Sequence, residues 1–142
     1  MVDWINDSVD RMPPATDEEV RAAEQALGVR FPPDFLAVAQ ARQGAEPVPH
    51  QVDLPRGFVV SVDHLLPFSD SAGIDNIVAR RFPLEGVLDE TVIPFAEDTG
   101  GDLFCFDYAK GPENPSVAFW STDTGLVELA PDFTSFLASL HA

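Results

Sequence analysis

The chain has 142 residues, 45% of them hydrophobic and 23% charged, which fits one domain able to bury roughly 68–70% of its unfolded surface and excludes wholesale disorder. With 24 acids against 8 bases the formal charge is −16, which argues against nucleic acid and against anionic membrane surfaces as partners. The same charge either keeps the protein soluble or steers a basic protein partner inward.

The first residues, Met1-Val2-Asp3-Trp4-Ile5, lack the basic start and apolar core of a secretory signal, and no apolar run approaches a membrane span, so the expected localisation is cytoplasmic. The single cysteine, Cys105, permits no internal disulfide and fits a reducing compartment.

Thr16-Asp17-Glu18-Glu19 is a capping box that opens a helix over residues 17–27. Val20, Ala23 and Leu27 recur at helical spacing, Gly28 supplies a left-handed cap, and Asp17 stands four residues before Arg21 as a favourable pair. Phe31-Pro32-Pro33-Asp34 starts a second helix, with proline and an acid in the first turn. Its inner stripe is Phe35, Val38 and Ala39, continued by the stem of Arg42, and it stops near Gln43-Gly44. Residues 45–56 have three prolines and no period, and read as a loop.

Residues 57–62, Gly-Phe-Val-Val-Ser-Val, read as a strand. His64 to Phe68 fits either a short helix or a strand end. Ile74, Ile77 and Val78 are helically spaced, with Arg80 and Arg81 at the end of that segment favoured by the helix dipole. Residues 92–96 and 103–108 form a hairpin. On its second strand Phe104, Phe106 and Tyr108 point one way and Leu103 and Cys105 the other, so cover is needed on both faces and the strand is central. Lys110 to Pro115 is a loop, Val117 to Trp120 a strand, Asp123-Thr124-Gly125 a turn and Leu126 to Leu129 another strand. Pro131-Asp132 then opens a last helix whose apolar residues are Phe133, Phe136, Leu137 and Leu140.

Few residues suggest catalysis. His50, His64 and His141 are widely separated and share no metal-ligand spacing with Cys105, so the expected metal set is empty and no catalytic residue is assigned. Gly100-Gly101 lies between strands rather than before a helix, which suits a hairpin turn with positive φ and not a phosphate loop. Glu97, Asp98, Asp102 and Asp107 do not follow a calcium loop, and Asp102 and Asp107 alternate to opposite faces. This set forms either a solvated rim or a contact surface for a cationic partner. Glu97, Asp98 and Asp102 are the candidate partner-binding residues, since a turn between rigid strands presents charge at low ordering cost. Trp120 is expected in the core, and Trp4 is left open between core and interface.

The order of these pieces resembles the SUKH superfamily, the Smi/Knr-type domains found as immunity proteins in bacterial toxin systems and as regulators of cell-wall synthesis in fungi. Residues 24–28 are similar to its first-helix signature, Phe31 to Gly44 to its second, and Ile93-Pro94-Phe95-Ala96 through Gly100, Gly101 and Asp102 to Asp107 to its central hairpin. Gln43 replaces the Asn common before the helix-ending glycine. The signature positions Gly28, Pro32, Gly44, Pro94, Gly100 and Gly101 are of structural types.

The resemblance implies a single α+β domain over residues 1–142, a mainly antiparallel twisted sheet with N-terminal and C-terminal helices packed on it. Joined to the −16 charge and the lack of a catalytic constellation, it leads to a non-catalytic immunity protein without cofactors, expected to be monomeric or weakly dimeric, that binds a cognate toxin domain whose basic character the charge suggests. A regulatory scaffold domain is the alternative, and a small-ligand binder or enzyme the third reading.

Overall fold

The computed structural model describes residues 2–5, 12–70 and 76–142. Its centre is an antiparallel six-stranded sheet whose strand order follows the sequence: β3 (Gln51–Asp53), β4 (Val59–Leu65), β5 (Val92–Asp98), β6 (Leu103–Asp107), β7 (Ser116–Ser121) and β8 (Gly125–Ala130). A separate pair, β1 (Asp3–Ile5) with β2 (Glu46–Val48), sets Trp4 opposite Pro47 and packs the indole against the main core. Residues 45–56 are therefore not a loop. Two three-residue strands stand there, invisible as a period because each is too short to show one.

One face of the sheet carries α1 (Asp17–Leu27), α2 (Pro33–Ala39) and α3 (Phe133–Ser139). The capping box forms as the sequence predicts: the Glu19 amide donates to Thr16 Oγ1 at 3.1 Å and the Thr16 amide to Glu19 Oε1 at 3.0 Å. Gly28 closes α1 at φ +70°, a left-handed conformation that costs glycine little. Asp17 accepts from Gln40 Nε2 at 2.7 Å, which replaces the expected pairing with Arg21 and ties α1 to the end of α2.

Phe35 on α2 is fully buried, with ring centroids of Phe106, Phe133, Phe31 and Phe95 at 5.0, 5.3, 5.5 and 5.6 Å. Phe95 lies two residues beyond core-facing Ile93 and so shares its face, and a bulge at this point brings Ala96 onto that face as well. Pro94 pairs with Cys105 and Ala96 with Phe104, so Phe95 falls between registered pairs and stacks on Phe106 at 4.4 Å. Proline lacks a ladder N–H, and a bulged strand is where a central sheet accommodates one.

The α-helical part of α2 ends at Ala39 and continues as turns to Gly44. Arg42 is exposed, a correction to the predicted stripe, and Gln43 is the residue that turns inward, 1% exposed. Its Nε2 donates to Pro13 O at 2.7 Å and Ser69 Oγ at 3.0 Å, while its Oε1 accepts from the amides of Phe68 and Ser69 at 3.0 and 3.2 Å. One side chain thus satisfies two segments that have no ladder of their own, the chain before α1 and the one after β4.

The opposite face of the sheet is covered by a 3-10 segment, Ala79–Leu84, where the sequence suggested a helix from Ile74; Ile74 itself lies outside the described residues. Pro83 explains the difference, since it removes a donor and disfavours the α conformation at Phe82. Leu84, Val92, Leu103 and Cys105 are buried there, with Leu88 and a half-buried Trp120 against them. β6 is therefore covered on both faces, as its alternation requires. His64 and Leu65 end β4, which settles that segment as strand.

Gln43→Met keeps the side-chain volume but strands the Phe68 and Ser69 amides. The expected loss is about 1–3 kcal/mol for each group left unpaired, read as a lower Tm and an unchanged m-value in denaturant titration.

Candidate functional site

The acidic hairpin is built for its own turn. Asp98 lies in β5 and is 8% exposed; its Oδ1 accepts the Gly100 amide at 2.9 Å and the Asp102 amide at 2.7 Å. Glu97, also in β5, meets Arg80 Nε at 2.9 Å, and Arg80 Nη2 donates to Gly101 O at 3.1 Å. The two carboxylates are thus strand residues engaged inside the fold, not charges displayed by a loop. Gly101 has φ +89°, while Gly100 does not lie in the left-handed region, so one of the two glycines carries the turn.

Among the described residues, Asp102 is the member of the set whose side chain has no hydrogen-bond partner. Burial first, then the charges of Asp98 and Asp123, hold its carboxyl above the usual aspartate range. The approach of Asp123 follows from the register of β6 on β7: Leu103 opposite Trp120 brings the 98–102 and 121–125 turns side by side.

The other signature positions are structural. Pro32 caps α2, Gly44 takes φ +75° at the end of the turns after α2, and Pro94 sits beside the β5 bulge. Of the histidines, His64 is paired with Asp63 at 2.7 Å and His141 with Asp53 at 2.9 Å. His50 has a buried Nδ1 without a partner among the described residues. Among the described residues no group of three His, Cys, Asp or Glu side chains could hold a metal ion. Cys105 is fully buried, and burial pushes its thiol far up, which suits a packed hydrophobe rather than a nucleophile.

The concave feature of the surface lies elsewhere. A groove of three contiguous hollows of about 460, 460 and 560 Å³ starts between the end of α1 and the 3-10 segment and runs around Gly28 past Tyr108 and Pro112 to Arg21 and Glu113. The first two share Leu27 and Glu90, and the second and third share Gly28, Val29 and Pro112. Local chemistry explains its shape. The αL cap at Gly28 turns the chain away from the helix axis, Glu24 Oε2 accepts the Phe31 amide at 2.8 Å, and the Tyr108 hydroxyl donates to Arg30 O at 2.7 Å. On the other bank, Arg81 Nη2 donates to the carbonyls of Leu88 and Asp89 at 3.3 and 2.9 Å and holds the segment against the sheet.

The first hollow has apolar walls from Leu27, Val78, Phe82 and Leu88, and carboxylates from Glu85 and Glu90. Phe82 is 64% exposed and Val87, between lining residues Gly86 and Leu88, is 59% exposed. Exposed aromatic and aliphatic side chains beside acids are what a protein interface presents to a partner with apolar anchors and basic neighbours. Sequence reasoning did not find this site, because the helical reading of residues 74–82 leaves the outward residues unassigned.

Two measurements check the hairpin. Gly101→Val should lose about 1–3 kcal/mol from backbone strain alone, since a Cβ there meets nothing within 4 Å. Gly100→Ala, at ordinary φ, should melt like the parent. Asp102→Asn should raise Tm at pH 7: the native state holds the Asp102 proton more tightly than the unfolded chain does, so ionisation costs stability above the native pKa. That gain should fade as the pH falls toward the ordinary aspartate range, where both states are protonated.

Among the described residues no helix is long and apolar enough to cross a membrane. No curated protein matches the chain. The model of the SMI1 / KNR4 family (SUKH-1) matches residues 14–139, from the segment before the capping box to the last residue of α3, and the chain belongs to that family.

Proposed function

We propose that this SUKH-1 domain is a non-catalytic, cytoplasmic immunity protein that binds and neutralises a cognate, basic bacterial toxin domain. The family is compatible with immunity or regulatory work, and the observation that carries the immunity reading is the charge: −16 on 142 residues, with Arg80 and Arg81 already engaged within the fold. Such a field attracts an enzyme whose substrate groove is basic and raises the association rate before contact.

The contact surface we assign is the groove bank formed by Phe82 and Val87, with Glu85 and Glu90 as its charged border. It replaces the hairpin acids in this role, since Asp98 and Glu97 hold their own turn and a lysine at either position would break those bonds first. A regulatory partner would engage the same chemistry, and the neighbouring gene separates the two: a secreted toxin with a toxic C-terminal domain for immunity, a housekeeping protein for regulation.

The test is co-expression with the toxin domain encoded beside the gene. The parent should protect cells and form a complex whose association slows steeply as salt rises, because charges are screened within about 8 Å at physiological ionic strength, with dissociation little changed. Phe82→Asp combined with Val87→Asp should weaken binding at least about tenfold while melting like the parent. Failure of the parent to protect or bind removes the immunity reading. Full protection by the double variant removes the groove alone.

A further inference from the structure

The six-stranded sheet ends differently at its two edges. The outer side of β3 is closed by the chain itself. The Gln51 amide donates to His141 O and the His141 amide to Gln51 O, each at 3.0 Å, and the His141 ring meets Asp53 at 2.9 Å. At the far edge β8 has β7 as its one strand neighbour. Among the described residues, no backbone amide or carbonyl of residues 126–129 bonds to anything beyond β7.

An edge left open is a template for another strand, and proteins that must avoid this protect it with lysine, proline or inward charge. β8 reads Gly-Leu-Val-Glu-Leu-Ala, with no lysine, no proline and one charge. Its side chains are ordered by the register: Leu126 stands opposite Trp120 and Glu128 opposite Ala118, all on the face away from the helices, while Val127 pairs with Phe119 on the helix side. Leu126 is 41% exposed, and Glu128 and Asp123 are exposed. At its end β8 borders a shallow cleft of about 390 Å³ containing Asp107, Lys110 and Glu128.

We propose that β8 is a docking edge that takes an extended cationic segment of a protein partner as a seventh strand. Main-chain hydrogen bonds supply the affinity, and the two registered positions supply the selectivity. An apolar residue lies against Leu126 and Trp120, and a Lys or Arg two positions along lies against Glu128, because residues two apart share a face. A second copy is the wrong occupant. It would set Glu128 and Asp123 against their own kind on two molecules of charge −16 each, where a basic segment neutralises them. That the segment belongs to a toxin rests on the immunity reading; the capacity of the edge does not.

The probe is a displayed library of random linear peptides selected against the intact protein, followed by amide hydrogen exchange of the complex by NMR. Enriched peptides should carry an apolar residue and a Lys or Arg two positions apart, and should slow exchange at residues 126–129 by at least about tenfold. N-methylation of alternate peptide amides should abolish binding in one of the two phases. Glu128→Lys should weaken binding about three- to tenfold without moving Tm. The proposal is overturned if no peptide is enriched, if binders protect another surface, if acidic peptides bind as well as basic ones, or if sedimentation shows copies pairing through β8. Loss of the immunity reading shows separately, as a parent that fails to protect in co-expression while its β8 still binds peptide.

Discussion

Phe35 is the contact on which the architecture depends. It projects from a seven-residue helix and meets the rings of Phe95 and Phe106 from the sheet, Phe133 from the last helix, and Phe31 and Phe68 from the connecting segments. Helices of seven residues are marginal in isolation, so α2 and α3 exist because the apolar area they bury together with the sheet offsets their ordering cost. Edge-on contacts between rings orient this packing as well as drive it. The bulge at Phe95 is part of the same constraint, since it sets both Phe95 and Ala96 on the core face, where a regular ladder would turn Ala96 to the other.

The acids show how a chain of this charge avoids wasting it. Thr16 and Glu19 close one helix start and Asp132 another, its oxygen taking the Ser135 amide at 2.7 Å. Asp34 joins α2 to α3 by accepting from the amide and hydroxyl of Thr134 at 3.1 and 2.8 Å. Asp98 organises its hairpin and Asp89 accepts from Thr91. Carboxylates that accept amides hold loops that lack ladders, and the remaining ones, Glu85, Glu90, Asp123 and Glu128 among them, are exposed and carry the outward field.

The two faces of the sheet are therefore built differently. The helix side of the sheet is a closed aromatic core, while the other side is covered by a thin segment held by two consecutive arginines, Arg80 to the β5–β6 hairpin and Arg81 to the carbonyls that follow it. That segment carries exposed apolar side chains at its outer surface, and at the far edge of the sheet β8 keeps, among the described residues, an unpaired side. The exposed side chains of both, Phe82, Val87 and Leu126, lie outside the phenylalanine cluster, so changes there leave that core untouched.

By itself the sequence determined whatever depends on near neighbours in the chain. The capping box and Gly28 set the limits of α1, the alternation of Leu103 to Tyr108 identified a strand covered on both faces, and the spacing of Phe133, Phe136 and Leu137 identified the last helix. The motif order carried the family. Tertiary structure decided what depends on distant partners. Residues 46–48 and 51–53 are strands because β1 and β4 pair with them, and the segment before Leu84 is 3-10 because Pro83 and the sheet beneath it leave no room for a longer helix. Gln43 is buried because Pro13, Phe68 and Ser69 need its amide. The hairpin acids obey the same rule: a carboxylate's spacing in sequence shows that charge is present, but Arg80, 17 residues from Glu97, and the turn amides around Asp98 decide whether that charge faces solvent or serves the fold.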